Sequence, residues 1–264
     1  MSDKFKHGFK DLQQTISDRN YLWFYLALQD IKLRYKRSVI GPLWITISTG
    51  IFILTLGPLY GTIFNKPVDV YIRYFSASYI VWGMLSATII DSSLTFTSHE
   101  SFIKEVRIPY NTYILKNITK NFLIFLHNII IVFVVMFFFP LTPNLNFFLV
   151  IPGAILFFIN LYSLNTIIAI ICTRYRDLSN IVQVILQMMF FLTPILWEID
   201  RSNGLQKVAL FNPLFHLVDI VRAPMLGLMP FGITYILTSL SAFVLFIVAM
   251  FLLNKKINSI SLWL

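Results

Sequence analysis

The chain carries one cysteine, Cys172, which rules out an internal disulfide and leaves no cysteine pair for a metal cluster. A small buried hydrophobe is the common role for such a residue. Charge is scarce as well: Asp, Glu, Lys and Arg make up 12% of 264 residues, where a soluble domain has about 25%. With 57% hydrophobic residues and a mean hydropathy of +0.75, a water-soluble fold is excluded. Catalytic signatures are missing too. No HExxH or GxSxG occurs, His99, His127 and His216 are widely separated, and no two carboxylates stand at an acid–base spacing. There is no GxxxxGK(S/T) phosphate loop, so any ATP-driven work needs hydrolysis on another chain. The first 37 residues hold eight Lys or Arg and no apolar core ahead of a small-residue cleavage site, so they are not read as a cleavable signal.

What the chain does have is long apolar runs bounded by basic residues. Lys32, Arg34, Lys36 and Arg37 stand directly before an uncharged run from Ser38 to Asn65, and basic residues beside a first span stay in the cytoplasm. Gly41-Pro42 suits a helix start, because proline at the first helical position lacks only an unpaired N–H. Span one covers about 42–64, with a kink expected at Gly57-Pro58. Span two covers about 74–90. The uncharged stretch Asn121 to Thr173 is too long for one span of about 20 residues, and Pro140 to Asn144 divides it into two. Span five follows at about Leu178 to Trp197 and span six at about Phe231 to Leu253. Between them the inner segments hold 16 Lys and Arg and the outer ones five, an asymmetry that predicts six spans with both termini cytoplasmic. That topology also explains the net charge of +9 without a nucleic-acid partner. The expected fold is therefore all-α and integral to the membrane. Residues 1–37 form a cytoplasmic N-terminus, 38–254 the six-span domain, and 255–264 a short cytoplasmic C-terminus.

Several stretches carry candidate chemistry. A helical reading of Tyr21 to Tyr35 places Tyr21, Phe24, Ala27, Leu28, Ile31 and Tyr35 on one stripe, the pattern of an amphipathic interface helix. In span five, Asn180, Gln183, Gln187, Phe191 and Pro194 share a face, with Phe190 beside it. The amides suit a hydroxyl-rich ligand and the aromatics suit sugar faces, so a substrate path is expected there, with Trp197, Tyr60 and Phe64 at its outer end. The same amides also serve to hold membrane helices together, and the aromatics to form an interfacial belt. Residues 198–230 are unusually apolar for an outer loop, and Asn212-Pro213 and Ala223-Pro224 cut them into pieces too short to span. A re-entrant hairpin fits, with Asn212, Pro213, Phe215 and Arg222 as a candidate outer gate. At the inner face, Arg34, Lys36 and Arg37 can meet a substrate diphosphate, and positive-inside topology explains them equally. Asp91 is read as an interfacial carboxylate.

Three segments bear a family likeness. Leu28-Gln-Asp30-Ile-Lys-Leu-Arg34-Tyr35-Lys36, then Gly41-Pro42-Leu-Trp44, resembles the approach to span one in ABC-2 type permeases that export O-antigen, capsular polysaccharide or teichoic acid. Ser101-Phe-Ile103-Lys104-Glu-Val106-Arg-Ile-Pro109 is similar to that family's cytoplasmic coupling segment, and Phe211-Asn212-Pro213-Leu214 through Arg222 to its outer re-entrant stretch. The resemblance covers Tyr21 to Leu253. It implies a homodimer in the bacterial cytoplasmic (inner) membrane, each copy docked on an ATP-binding-cassette subunit and exporting a polyprenyl-diphosphate-linked polysaccharide. It implies that Ile103, Lys104, Glu105, Arg107 and Pro109 transmit ATPase motion, and that ATP with Mg binds the partner while this chain holds no cofactor. Teichoic acid, a lipo-oligosaccharide or a drug would be alternative cargoes, since fold does not fix substrate. A membrane enzyme acting on lipid-linked sugars, using Asp91, His127 or Glu198, is the reading from another class.

Overall fold

The computed structural model describes residues 6–17, 20–36, 38, 40–41, 43–106, 108–142, 144–199 and 205–264. Among these the regular elements are all helical: α1 (Lys6–Ser17), α2 (Asn20–Tyr35), α3 (Leu43–Ile63), α4 (Val68–Ser93), α5 (Glu100–Glu105), α6 (Tyr110–Phe138), α7 (Val150–Arg174), α8 (Leu178–Leu192), α9 (Leu205–Phe211), α10 (Pro213–Met225) and α11 (Gly232–Trp263). By length and apolar composition, α3, α6, α7 with its preceding 3₁₀ turn, and α11 suffice to cross a membrane. A fifth crossing is added if α4 and Thr97–Glu105, which meet at a 60° bend, count as one. The expectations for Pro42, Arg37 and Arg107 lie outside the described residues. α3 begins directly after Pro42 and runs on through Pro58.

Four predicted boundaries move. Residues 110–120, which precede the uncharged stretch that begins at Asn121, are the first turns of α6, where Asn111, Thr112, Lys116 and Asn117 are buried against other elements. α8 stops at Leu192, because Thr193 precedes Pro194 and takes extended backbone (φ −86, ψ 136). Its 15 residues make only about 22 Å of helix against a hydrocarbon core of about 30 Å. α10 continues past Ala223-Pro224 to Met225. Pro224 cannot donate to the Ile220 carbonyl, and that oxygen turns to Gly153 of α7, where a Cβ would collide with it. Finally, Lys255-Lys256 does not end α11, which reaches Trp263.

α4 is the central element and packs against α3, α6, α7, α8 and α10. Its hydroxyls stay harmless in an apolar setting by bonding their own helix, as Ser78 Oγ does to the Tyr74 carbonyl at 2.7 Å and Thr88 Oγ1 to Met84 at 2.7 Å. Gly57 of α3 lets the two helices approach, since a Cβ there would lie 2.9 Å from Ile72 Cγ1. A second core at the other end joins Phe96, Ile103, Tyr113, Tyr162 and Leu253. α2 lies on α6 through Ala27 and Ile31, whereas Tyr21 is 71% exposed and Phe24 faces outward, so the expected stripe is split between two surroundings.

Candidate functional site

At the predicted outer end, the four gate residues belong to one unit. Asn212 caps α10, its Oδ1 accepting from Leu214 N at 2.9 Å with Pro213 at the first helical position. Its Nδ2 donates to Thr193 Oγ1 at 2.8 Å, which ties the cap to the end of α8. Phe215 is fully buried, and Arg222 is only 4% exposed. The Arg222 guanidinium donates to the Pro194 carbonyl at 2.6 Å and Tyr74 Oη at 2.9 Å, and pairs with Asp219 Oδ1 at 2.7 Å. It also lies 4.8 Å from the Tyr74 ring centroid, a cation–π contact. Asp219 Oδ2 accepts from Phe231 N at 3.2 Å, so one ion pair connects α4, the chain after α8, α10 and the start of α11. A cavity of about 390 Å³ opens beside it, lined by Tyr74, Glu198, Asp219, Arg222 and Phe231. The sequence reading passed over Tyr74 and Asp219. Opposite charges three apart on a helix, as at 219 and 222, are the signal that finds such a pair.

The face of α8 divides in two. Leu186 is buried, and Phe190 packs toward α4, 6.4 Å from the Tyr79 ring and 6.0 Å from Trp82. Asn180, Gln183, Gln187 and Phe191 stand exposed beside that buried edge, and among the described residues the three amides have no partner. They therefore do not hold the helices of this chain together. Tyr60 stacks on Phe64 at 5.9 Å and Phe64 lies 6.1 Å from Tyr71, while Trp197 Nε1 donates to the Phe191 carbonyl at 3.0 Å. These aromatics gather at the C-terminal ends of α3 and α8 and the N-terminal end of α4, and Phe190 is not among them.

At the other end, the predicted coupling segment, 101–109, takes in most of α5, and a 3₁₀ turn, Thr97–His99, precedes that helix. Ile103 is buried, Lys104 pairs with Glu100 at 2.7 Å within α5, Glu105 is exposed, and Pro109 leads into α6 with extended backbone. Arg34 and Lys36 are exposed, and Arg34 lines a groove of about 280 Å³ with Asp30, Leu33 and Lys120. Beneath lies a polar cluster that the sequence reading did not assemble. Lys116 Nζ meets Asp30 Oδ2 and His99 Nε2, each at 2.7 Å, and Lys120 Nζ meets Asp91 Oδ2 at 2.7 Å. Asn121 Nδ2 also donates to Asp91 Oδ2 at 2.7 Å, and Asn117 Nδ2 to Thr95 Oγ1 at 2.7 Å.

Because an ammonium can only donate and a carbonyl only accept, His99 is neutral here: Nε2 accepts from Lys116, and Nδ1–H donates to the Thr95 carbonyl at 2.8 Å. Burial, and then the Lys116 charge, hold its pKa below the ordinary histidine value. Burial pushes the Asp11 carboxyl up, against the hydrogen bonds it accepts from Asn111 and Tyr110. The Lys104 hydrogen bond holds Glu100 down.

The residues an enzyme would use are dispersed. Asp91 pairs with Lys120, His127 Nδ1 bonds its own helix at Leu123 O, and Glu198 pairs with Lys66 at 3.3 Å. Among the described residues no three His, Cys, Asp or Glu are grouped to hold a metal ion.

The sequence model of the ABC-2 type transporter family matches residues 21–226, from α2 to just beyond α10. One similar protein is an O-antigen export system permease protein RfbA of Klebsiella pneumoniae, 24% identical over 236 residues that cover 86% of this chain and 88% of the relative. A second of that name and organism is 24% identical over 195 residues, 72% of this chain and 74% of its own. An O-antigen export system permease protein RfbA of Myxococcus xanthus is 22% identical over 203 residues, covering 75% and 77%.

Proposed function

The chain belongs to the ABC-2 type transporter family, and on that footing we propose that it is the permease subunit of an ATP-binding-cassette exporter for O-antigen. The cargo crosses the bacterial cytoplasmic membrane linked to a polyprenyl diphosphate. The observation that carries this reading is that the relatives described above, aligned over most of both chains, are all named O-antigen export permeases.

In this reading the chain crosses six times, by α3, α4, α6, α7, α8 and α11, with both termini in the cytoplasm. α8 completes its crossing with the non-helical residues 193–197, whose carbonyls are covered by Tyr71, Tyr74 and Arg222. That cover supports a crossing there, since irregular backbone at membrane depth must be enclosed by protein or line a cavity. α9 and α10 dip in from outside as a re-entrant pair. The permease works as a homodimer, and its ATP-binding partner holds ATP and Mg and docks on α5. The bare amides of Asn180, Gln183 and Gln187 support a path between two copies, because lipid leaves each amide unsatisfied at several kcal/mol.

Gently solubilised protein is expected to bring down an ATP-binding-cassette subunit in equal amount, identified by mass spectrometry. Gln183→Leu and Gln187→Leu are expected to insert normally and to slow glycan export by about tenfold. Normal export in both variants would remove the amide face from the path, and absence of any ATPase subunit would remove the exporter reading itself.

A further inference from the structure

We propose that Lys116 is the positioning residue that joins the interface helix α2, the coupling segment and α6 into one moving body; the inference rests on the exporter reading above. Its side chain is 4% exposed, so its ammonium cannot turn to water. Two of its three N–H groups are taken by residues from two other elements, Asp30 of α2 and His99 of the turn before α5, at 2.7 Å each. Drawing either element away strands a buried charge, and that makes the joint stiff.

The neighbouring turn of α6 repeats the arrangement. Lys120 and Asn121 hold Asp91, and Asn117 holds both Thr95 and the Asp91 carbonyl, at 2.7 and 3.3 Å. These three residues of α6 thus grip the end of α4 and the chain that follows it. Apolar packing of Phe96 and Ile103 beside them is non-directional and would tolerate sliding. The polar bonds set one register, so a push on α5 displaces α6 and α2 together instead of slipping along them. The exposed Lys104–Glu100 pair cannot do this, because both its members stand on α5.

The test uses vesicles containing the permease with its ATP-binding subunit and a lipid-linked O-antigen, with ATP hydrolysis and export measured side by side. In Lys116→Met, hydrolysis should stay within about twofold of wild type while export per ATP falls by about tenfold. The exchange Asp30→Lys with Lys116→Asp re-forms the tie to α2 and should recover much of the ratio. A wild-type ratio in Lys116→Met overturns the proposal, and so does an equal fall in hydrolysis and export, which marks a docking role. If Lys116→Met fails to insert, Asp30→Asn and His99→Gln carry the test. Each should lower the ratio by about threefold, and unchanged ratios in both overturn the proposal. A wild-type complex that hydrolyses ATP without exporting glycan instead refutes the exporter reading, and the role of Lys116 falls with it.

Discussion

Removing one member of the Arg222–Asp219 pair leaves a full charge in an apolar interior, where both side chains are at most 5% exposed. Arg222→Met is therefore expected to cost about 3–5 kcal/mol, seen as a lower unfolding midpoint by tryptophan fluorescence in detergent. The double change Asp219→Asn with Arg222→Met strands no charge and should lose less. Equal losses in the two variants would show that the pair is not what holds the outer unit. Asp11 illustrates the same scale at the other end of the molecule. Its carboxylate accepts from Tyr110 N at 3.1 Å, Asn111 N at 2.9 Å and Asn111 Nδ2 at 2.7 Å, and so caps α6 from a distant part of the chain. Nothing local in a basic N-terminus marks one aspartate as the cap of a helix that starts at Tyr110.

The turn at Thr97–His99 and α5 after it form the element whose behaviour should respond to pH. His99 faces Lys116, Lys120 and Asp30, with the Tyr113 ring 5.3 Å away. Its folded pKa lies below the unfolded value, so the unfolded chain takes up the proton more readily. The stability it contributes is complete above about pH 6.5 and is lost as pH falls through that value toward the folded one. Backbone amides of residues 97–105 should accordingly exchange faster at about pH 5.5 than at about pH 7.5, beyond the intrinsic pH dependence of exchange, and His99→Gln should flatten the difference. An unchanged response in His99→Gln would place the sensitivity elsewhere. Helix ends teach a related point. Lys255 and Lys256 close the apolar run of α11, but charge does not interrupt backbone hydrogen bonding. α11 goes on because Ile260 packs in the second core and Arg174 and Lys256 lie over the Trp263 ring at 5.4 and 5.6 Å.

On the scale of the molecule, the proposed path between two copies makes the exposed amide face of α8 their expected contact. Gln187→Cys is expected to form a covalent dimer with a short thiol crosslinker in native membranes, against little background because Cys172 is buried. Phe243→Cys, at an α11 position that is 67% exposed, should stay monomeric. The reverse pattern would put the dimer contact on α11 and turn the amides of α8 to another partner.

Several things were legible in the residues alone: the all-helical class, the places of the apolar runs, and the break in the chain at Asn212-Pro213. Each depends on neighbours within a turn or two, where hydropathy, proline and charge act locally. The amide row of span five was visible as well, but not which way it pointed. The tertiary structure decided that, and it decided that Phe190 packs inward while Phe191 does not. It also chose the partners of Lys116, Asp11 and Arg222. A basic residue near a membrane surface reads alike whether it meets lipid, substrate or a carboxylate many residues away. Only packing brings Asp30 and His99 to the same ammonium, because desolvation makes a charge depend on whatever surrounds it in space, and sequence orders residues along a line.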